Sequence, residues 1–425
     1  MKKNVLIVTY YWPPAGGPGV QRWLKFVKYL PEYNIHPIVY IPENPNYPIL
    51  DSSLEQEIPK DVTLLKHPIK EPYKWAAMFS KKKSETISKG IITEAKAQTA
   101  LEKLMLYIRG NFFIPDARVL WVKPSVSFLK NYISNHDVDA VITTGPPHSL
   151  HLIGLQLKQL LGVKWFADFR DPWTTIGYHK ELKLTEASKK KHKDLERDIL
   201  QHADDIIVTS HVTKSEFKAI TKQPIHVITN GYDYVKLNEM TLDSKFTMAH
   251  IGSLLSKRNP KMLWRVLEDL INSHNDFASD FQLHLVGHVS QDVLNSIAGF
   301  KLQSFCKNFG YVNHEQAVAF QRKSQVLLLI EIDSPDTKCI IPGKLFEYMV
   351  SNRPILALGP KASDVEQIIK ETNTGHYFYY NAYNELKSQI YSYYLAYKAG
   401  NLQSHGIGLQ KYSRQSLTAS LAVLV

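Results

Sequence analysis

The chain has 425 residues, of which 44% are hydrophobic and 21% are charged, as in an ordinary soluble globular protein. A chain of this length is expected to form about two or three domains. No stretch reaches the roughly 18–20 apolar residues of a helical membrane span, so a transmembrane protein is disfavoured. Two cysteines, Cys306 and Cys339, supply neither a disulfide framework nor a metal-binding spacing, and we therefore expect a reducing cytoplasmic location.

The net charge of +11 and the isoelectric point near 9.2 favour an acidic partner. Nucleic acid, an anionic membrane surface and a phosphorylated substrate all fit that description. Lysines cluster at 189–193 and at 81–83, and the second cluster follows four apolar residues that suit a bilayer interface: Tyr73, Trp75, Met78 and Phe79. The competing interpretation is a solvated loop or helix face, and composition does not decide between the two.

The chain opens with a strand, a glycine-rich loop, a helix and a second strand. Its first residues, MKKNVLIVTYYWPP, resemble a signal peptide, but the apolar run is short, contains aromatic residues and lacks a small-residue cleavage site. We predict a strand at 5–8, a loop at 13–19, a helix at 20–30 and a strand at 37–41. Such a loop presents backbone amides to a ligand. The spacing Gly16-Gly17-x-Gly19 is not the G-x-G-x-x-G of a dinucleotide site, which disfavours a redox enzyme.

Strands and helices alternate along the rest of the chain, which predicts parallel, doubly wound sheets. Further strands are predicted near 62–65, 138–144, 205–209, 226–228, 246–252, 282–287, 305–309, 325–330 and 355–358, and 164–173 is predicted as a strand followed by a loop. Further helices are predicted at 94–108, 151–161, 186–202, 260–273, 315–323 and 344–350. The series indicates two Rossmann-like domains, 1–235 and 236–403, with 404–425 as a last helix that packs back on the N-terminal domain.

One stretch of the second domain has the features of an anion site. Pro342-Gly343 is a turn signal before the predicted helix at 344–350, and the apolar run 355–358 follows as a buried strand. Free amides at a helix start favour phosphate, and a carboxylate one turn further along the helix can bind a ribose. Glu347 has that position. The competing interpretation is a solvated surface carboxylate.

Five motifs in this order resemble the retaining nucleotide-sugar glycosyltransferases of the GT-B fold, most closely glycosyltransferase family 4 of the bacterial surface-glycan type. They are Pro13-Pro14-x-Gly16-Gly17, Asp168-Phe169-Arg170-Asp171-Pro172-Trp173, Thr229-Asn230-Gly231-Tyr232-Asp233, Gly252-Ser253-Leu254 and Lys344-Leu345-Phe346-Glu347-Tyr348. Each motif alone is weak, but their order and spacing over residues 3–360 are specific. The resemblance implies an α/β GT-B architecture, in which two Rossmann-like doubly wound domains face a cleft.

In this family the C-terminal domain binds the nucleotide sugar. The resemblance therefore implies donor contacts from Ser253, Lys257, Arg258, Gly343, Lys344, Leu345 and Glu347. Ser253 replaces the arginine that is common in the family, and Cys339 replaces the first carboxylate of its Glu-x7-Glu, which normally contacts the donor sugar. Cys339 is interpreted as a packed thiol rather than a nucleophile. Lys257 and Arg258 have a competing interpretation as plain surface charges.

In the N-terminal domain the resemblance implies that Gly16 and Gly17 let the loop approach the donor phosphate and the acceptor. A tight turn is the alternative. His148, more than His151, is expected to contact the donor sugar, and a structural histidine is the alternative. Asp168, Arg170 and Asp171 follow a strand, and one carboxylate is expected to orient or deprotonate the acceptor hydroxyl. An internal Asp–Arg ion pair that shapes the loop is the competing account.

The predicted function is sugar transfer, with retention, from a UDP- or GDP-linked sugar to a hydroxyl of a glycan or lipid-linked glycan in cell-surface polysaccharide biosynthesis. We expect no Asp-x-Asp metal site, and basic residues and helix starts are expected to compensate the phosphate charge instead, so no metal and no cofactor is expected. The other expected partner is an anionic membrane surface, with the protein peripheral on the inner face of the cytoplasmic membrane, and no nucleic acid. The alternatives are a basic nucleic-acid or membrane-surface binding module and a GT-B enzyme that transfers no sugar, such as a nucleotide-sugar epimerase.

Overall fold

The computed structural model describes residues 2–71, 100–233 and 240–425. The chain divides into two compact units, Met1–Asn230 with Arg414–Val425 and Gly231–Ser413. The boundaries expected from the sequence were 235/236 and 403/404. The basic and aromatic segment at 73–83 lies outside the described residues. None of the helices within the described ranges is long and apolar enough to cross a membrane.

The first unit contains a seven-stranded parallel sheet in the order β3-β2-β1-β4-β5-β6-β7. Its strands are β1 (Lys3–Val8), β2 (Ile35–Pro42), β3 (Thr63–His67), β4 (Ala140–Gly145), β5 (Lys164–Phe169), β6 (Asp205–Val208) and β7 (Ile225–Val227). Strands buried on both faces have continuous apolar sequences, which is why short runs such as 5–8 predicted them. The strand order reverses between β1 and β4, and the carboxyl edge at such a reversal is where α/β proteins bind ligands.

The described helices of the first unit cover both faces of its sheet. They are α1 (Pro18–Tyr29), α2 (Ala100–Phe112), α3 (Val119–Asn135), α4 (Ser149–Leu161), α5 (Glu186–His202) and α6 (His211–Lys218). The sequence did not predict α3, because Pro124 lies inside it and proline normally ends a helix. Burial of Trp121 and Leu129 in the core outweighs that preference. The short α6 was also missed, although Ser210 caps it by accepting a hydrogen bond from Thr213 N at 3.0 Å.

The second unit contains a six-stranded parallel sheet in the order β10-β9-β8-β11-β12-β13. Its strands are β8 (Phe246–Ile251), β9 (Phe281–Val286), β10 (Cys306–Gly310), β11 (Val326–Ile330), β12 (Ile355–Leu358) and β13 (Gly375–Phe378). Its helices are α7 (Lys261–Ser273), α8 (Asn275–Asp280), α9 (Gln291–Gly299), α10 (His314–Lys323), α11 (Lys344–Met349), α12 (Asp364–Thr372) and α13 (Tyr383–Lys398). The reversal of strand order lies between β8 and β11. Both units thus confirm the predicted class, α/β with parallel, doubly wound sheets.

The last helix, α14 (Arg414–Leu424), belongs to the first unit. Arg414 donates a hydrogen bond to Gln21 O at 2.8 Å, and Lys3 Nζ donates one to Val425 O at 3.0 Å. Leu417 and Leu421 join the core that β1 and α1 form. The end of the chain therefore completes the N-terminal core.

Candidate functional site

The glycine-rich loop between β1 and α1 is a tight turn. Gly17 has φ +100°, a conformation that side chains strongly disfavour, and α1 begins directly after it. A Cβ at Gly16 would lie 3.0 Å from Ile49 Cγ2, while Gly16 N donates to Ile49 O at 2.9 Å. The geometry at both glycines supports the tight-turn alternative.

Asp168, at the end of β5, is fully buried and receives hydrogen bonds from three side chains. Arg22 donates through two nitrogens at 2.9 and 3.4 Å, and Trp23 Nε1 and Thr144 Oγ1 each donate at 2.8 Å. Burial alone would raise the pKa of Asp168, but the charge of Arg22 and these hydrogen bonds outweigh burial and lower that pKa below its usual value. The carboxylate is ionised and has its acceptor positions occupied.

The network around Asp168 favours the internal ion-pair account, with Arg22 of α1 as the partner instead of Arg170. Arg22 also donates to Thr229 O at 2.8 Å, so it connects α1, β5 and the segment after β7. The sequence motifs did not indicate Arg22. An arginine on an amphipathic helix is normally solvated, and nothing in the local pattern indicates a partner 146 positions away.

Arg170 connects the loop after β5 to the loop after β4. Its guanidinium donates to the carbonyl oxygens of Gly145 and Pro146 and lies 5.9 Å from the centre of the Tyr11 ring. Asp171 is partly exposed, and no side chain of the described residues donates a hydrogen bond to it. Burial raises the pKa of Asp171, although the charge of Arg170 opposes that rise. Of the two predicted carboxylates, Asp171 is the one left open to a ligand.

His148 lies just before α4 and stacks on Trp173, with ring centres 5.0 Å apart and planes 2° apart. Both ring nitrogens are buried and have no hydrogen-bond partner among the described residues. Burial, and next the proximity of His151, keep the pKa of His148 well below its usual value. His151 lies 2.9 Å from Thr143 Oγ1, and burial lowers its pKa to about 3. Both imidazoles are therefore neutral at pH 7.

Two side chains of α5 hold the loop that carries Asp171. His192 Nδ1 accepts a hydrogen bond from Trp173 Nε1 at 3.0 Å. Glu196 accepts from the backbone nitrogens of Trp173 and Thr174 at 3.2 and 3.1 Å. The sequence predicted α5 but not this role, although His192 and Glu196 are four residues apart and share a helix face.

In the second unit, two basic side chains, Lys344 and Arg258, lie near the end of β8. Lys344 Nζ donates to Ile251 O at 3.0 Å and lies 3.3 Å from His250 Nε2. Burial, and to a smaller extent the charge of Arg258, lower the pKa of Lys344 to about 7. Gly252, with φ +116°, leaves room for this side chain, because a Cβ there would lie 3.4 Å from Nζ.

Arg258 lies in a short 3-10 turn, Ser256–Arg258, next to the exposed Lys257 and near the exposed Ser253. Its Nε is buried and has no hydrogen-bond partner, and none of the described carboxylates lies within ion-pair distance of its guanidinium. Burial lowers the pKa of Arg258, and the nearby Glu331 opposes that effect. A partly buried guanidinium without a carboxylate partner is well suited to bind an anion.

The helix α11 carries the predicted ribose ligand. Glu347 is half-buried, and its Oε2 accepts a hydrogen bond from Gln321 Nε2 at 2.7 Å. Tyr348 OH accepts from Ile251 N at 3.1 Å, which fixes α11 against the end of β8. Leu345 is fully buried in the core of this unit, so its contribution is packing. A Cβ at Gly343 would meet no atom within 4 Å, so no close approach requires glycine there.

Glu331 is a buried carboxylate that the sequence analysis missed. It follows β11 directly and is 5% exposed, and its Oε2 accepts hydrogen bonds from Tyr377 OH at 2.8 Å and Ser363 Oγ at 3.3 Å. Burial raises the pKa of Glu331 to about 8. A carboxylate directly after the apolar run 326–330 was the available signal, because ligands bind at the carboxyl ends of parallel strands.

Cys339 is 7% exposed, as expected for a packed thiol. No group of three or more metal-ligating side chains occurs among the residues that the structure describes. The sequence does contain an Asp-x-Asp, Asp137-Val138-Asp139, but it precedes β4, at the edge of the sheet opposite to the site residues. Asp139 Oδ2 there accepts a hydrogen bond from Asn4 N at 2.6 Å.

The protein has two all-parallel α/β units, and each has polar side chains clustered at the carboxyl edge of its sheet. This architecture is that of the GT-B class of proteins. The family model that matches is Glycosyltransferase Family 4, over residues 91–236. This match and the fold confirm the predicted GT-B architecture and the resemblance to family 4, and they support a glycosyltransferase.

Solved structures match over nearly the whole chain. WaaG, a glycosyltransferase involved in lipopolysaccharide biosynthesis, matches with TM-score 0.55 and 12% identity over 99% of each chain. HepE of Anabaena in complex with UDP matches with TM-score 0.56 and 12% identity, over 99% of this chain and 95% of HepE. A Listeria monocytogenes protein described as a UDP-N-acetylglucosamine 2-epimerase matches with TM-score 0.55 and 11% identity, over 99% and 95%. Curated protein sequences gave no match. Sequence identities this low establish the fold alone, because one fold can carry many activities.

Proposed function

We propose that the protein transfers a sugar, with retention, from a nucleotide diphosphate sugar to a hydroxyl of a glycan or lipid-linked glycan in cell-surface polysaccharide biosynthesis. The C-terminal unit binds the donor, with Arg258 and Lys344 on the diphosphate and Glu347 on the ribose. The N-terminal unit binds the acceptor. The UDP bound to HepE supports a uridine nucleotide as the first donor to test.

The observation that carries this proposal is that Arg258, near Lys344 at the carboxyl end of β8, has a buried Nε without a hydrogen-bond partner among the described residues. As the bond to the sugar breaks, the leaving nucleoside diphosphate gains negative charge, and cations held in place stabilise that charge. Arginine binds phosphate oxygens through a planar fork of donors, and partial burial strengthens the attraction. The charge of a bound diphosphate would also favour the protonated form of Lys344.

In the N-terminal unit we propose Asp171 as the carboxylate that orients the acceptor hydroxyl, and His148 as a neutral hydrogen-bonding group for the sugar. Asp168 and Arg170 act as positioning residues, because both are engaged within the unit. Gly16 and Gly17 shape the adjacent loop.

We extend the proposal to peripheral binding at an anionic membrane surface. The exposed Lys189, Lys190, Lys191 and Lys193 lie on α5, whereas His192 is buried. Co-sedimentation with vesicles of phosphatidylglycerol at low salt is expected, and no retention on these vesicles would contradict this extension.

Isothermal titration with UDP and GDP tests the donor site first, and the preferred base identifies the donor class. A screen of nucleotide sugars, read by release of nucleoside diphosphate, then tests transfer. Binding of neither nucleotide would contradict the proposal and favour a basic binding module.

The similarity to the Listeria protein keeps an epimerase as the second candidate. Incubation with UDP-N-acetylglucosamine without an acceptor separates the two functions. An epimerase produces the 2-epimer or releases UDP under these conditions, whereas a transferase leaves most of the donor intact until an acceptor is added.

A further inference from the structure

Glu331 lies in a polar group at the carboxyl edge of the second sheet, between β11, β12 and β13. Its Oε2 accepts from Tyr377 OH and Ser363 Oγ, and Ser363 Oγ and Tyr377 OH lie 3.0 Å apart. Tyr380 OH donates to the backbone oxygen of Glu331 at 2.7 Å. Gly359 makes room for this arrangement, because a Cβ there would overlap Tyr377 OH and the Glu331 carboxylate. The position of the carboxylate is therefore fixed by its neighbours.

Two polar atoms of this region are buried and have no hydrogen-bond partner among the described residues: Glu331 Oε1 and Arg258 Nε. Burying such atoms without a partner costs free energy, so each is an exception that requires an explanation. The charges of Arg258 and Glu331 affect each other's pKa, which places the two side chains in one electrostatic environment. One atom is an acceptor when the carboxyl group is ionised, and the other is a donor.

A hydroxyl group donates one hydrogen bond and accepts others, so the hydroxyls of a sugar supply partners of both kinds. In a nucleotide sugar, the diphosphate has the ribose on one side and the transferred sugar on the other. Since Glu347 is proposed for the ribose and Arg258 for the diphosphate, the remaining polar atoms next to Arg258 are suited to the sugar.

We propose that Glu331 is a specificity-determining residue whose Oε1 accepts a hydrogen bond from a hydroxyl of the donor sugar, with Arg258 Nε as the complementary donor. This inference rests on the proposed donor site and adds the chemical class of the group at Glu331. Because Oε2 accepts from two hydroxyl groups, Oε1 is the oxygen that has no hydrogen-bond partner among the described residues. Glu331→Gln keeps the shape of the side chain and replaces that acceptor by an amide donor.

The test compares affinities for a nucleotide and for its sugar conjugate by isothermal titration, with UDP, UDP-glucose and UDP-N-acetylglucosamine, and with GDP and GDP-mannose. It is run at pH 9, because burial raises the pKa of Glu331 to about 8 and the carboxyl group is mostly ionised only above that pH. For the nucleotide sugar that wild type binds best, Glu331→Gln is expected to weaken binding about tenfold, as for loss of a hydrogen bond to a charged group. Binding of the matching nucleoside diphosphate is expected to stay within about twofold of wild type, since that ligand lacks the hydroxyl in question. A purely structural role would weaken both ligands equally.

Asp280→Asn is the matched control. Asp280 also accepts from a tyrosine, Tyr394 OH at 3.0 Å, but it precedes β9 at the opposite edge of the same sheet. Unchanged sugar affinity in Glu331→Gln, or equal losses for both ligands, would overturn the inference and leave the proposed function standing. If wild type binds none of the five ligands, the inference and the proposed function both fail.

Discussion

The two units each contain a buried carboxylate directly at the end of a parallel strand and close to an arginine, yet the two sites differ. Asp168 is fully satisfied by Arg22, Trp23 and Thr144, and its pKa is lowered. Glu331 has one oxygen without a partner in the described parts of the chain, and burial raises its pKa to about 8. Arg22 donates to both Asp168 and Thr229 O, whereas the buried Nε of Arg258 has no hydrogen-bond partner among the same residues.

This contrast teaches that burial and an arginine neighbour do not by themselves identify a ligand site. A saturated network holds structural elements together and has no capacity left for a substrate. A network with unpartnered buried polar atoms favours substrate binding, because each of these atoms gains a hydrogen-bond partner in the complex. By this criterion we interpret the cluster around Asp168 as structural framework and propose the cluster of Arg258 and Glu331 as part of the donor site.

The largest effect is expected from a substitution that disrupts the hydrogen-bond network around Asp168. Asp168→Asn leaves the charge of Arg22 buried without its counter-ion, and loss of one partner of a buried pair costs about 3–5 kcal/mol. Urea denaturation followed by circular dichroism is expected to show a loss of that size in the free energy of unfolding. Asp171→Asn is the control in the same loop, and it is expected to change stability by less than about 1 kcal/mol. Similar stabilities of both variants would contradict the framework role of Asp168.

The second-largest effect is expected on nucleotide binding, from a substitution of Arg258. Arg258→Ala removes charge-assisted hydrogen bonds to the diphosphate and is expected to weaken UDP or GDP binding by about 1.5–3 kcal/mol, roughly 10- to 150-fold. Stability is expected to be unchanged or higher, because no described partner of the guanidinium is lost and a buried nitrogen is removed. Titration calorimetry and thermal denaturation measure the two quantities.

Lys307→Ala removes an exposed positive charge on β10 of the same unit and serves as the control for net charge. Equal weakening by both variants would show that the nucleotide responds only to the overall positive charge, which contradicts a specific site.

The sequence predicted most of the architecture, because buried parallel strands such as 326–330 appear as short continuous apolar runs. Helices were missed where local pattern and tertiary packing disagree, as in α3 with Pro124, or where tyrosines blur the amphipathic period, as in α13. The positions of the motifs indicated Arg258 and Glu347 as candidate donor-binding residues. The pairing of Arg22 with Asp168 depends on long-range proximity, which no local pattern encodes.

The third effect is a pH dependence of the histidines in the first unit. His151 has its pKa lowered to about 3 by burial, whereas an unfolded histidine titrates near 6.5. The unfolded state therefore binds more protons between these values, so stability is complete above pH 6.5 and falls as the pH drops toward 3. Between pH 7 and pH 5 this group alone is expected to cost about 2 kcal/mol.

Urea denaturation at the two pH values measures the change, and His151→Gln is expected to reduce it. His405→Gln, at an exposed position, is the control and is expected to keep the wild-type pH dependence. An unchanged pH dependence in His151→Gln would show that His151 is not held neutral in the folded protein.

The smallest expected effect tests the ribose contact. Glu347→Ala is expected to weaken UDP binding about tenfold, roughly 1.4 kcal/mol, without unfolding the protein, because the half-buried carboxylate has only Gln321 as a hydrogen-bonding partner in the described chain. A matched ligand distinguishes loss of the ribose contact from indirect effects of the substitution. Because 2′,3′-dideoxy-UDP has no ribose hydroxyls, wild type and Glu347→Ala are expected to bind it with equal affinity. Equal losses for UDP and the dideoxy ligand would mean that Glu347 acts through the fold of α11 or its charge, and wild-type affinity for UDP would refute the ribose assignment.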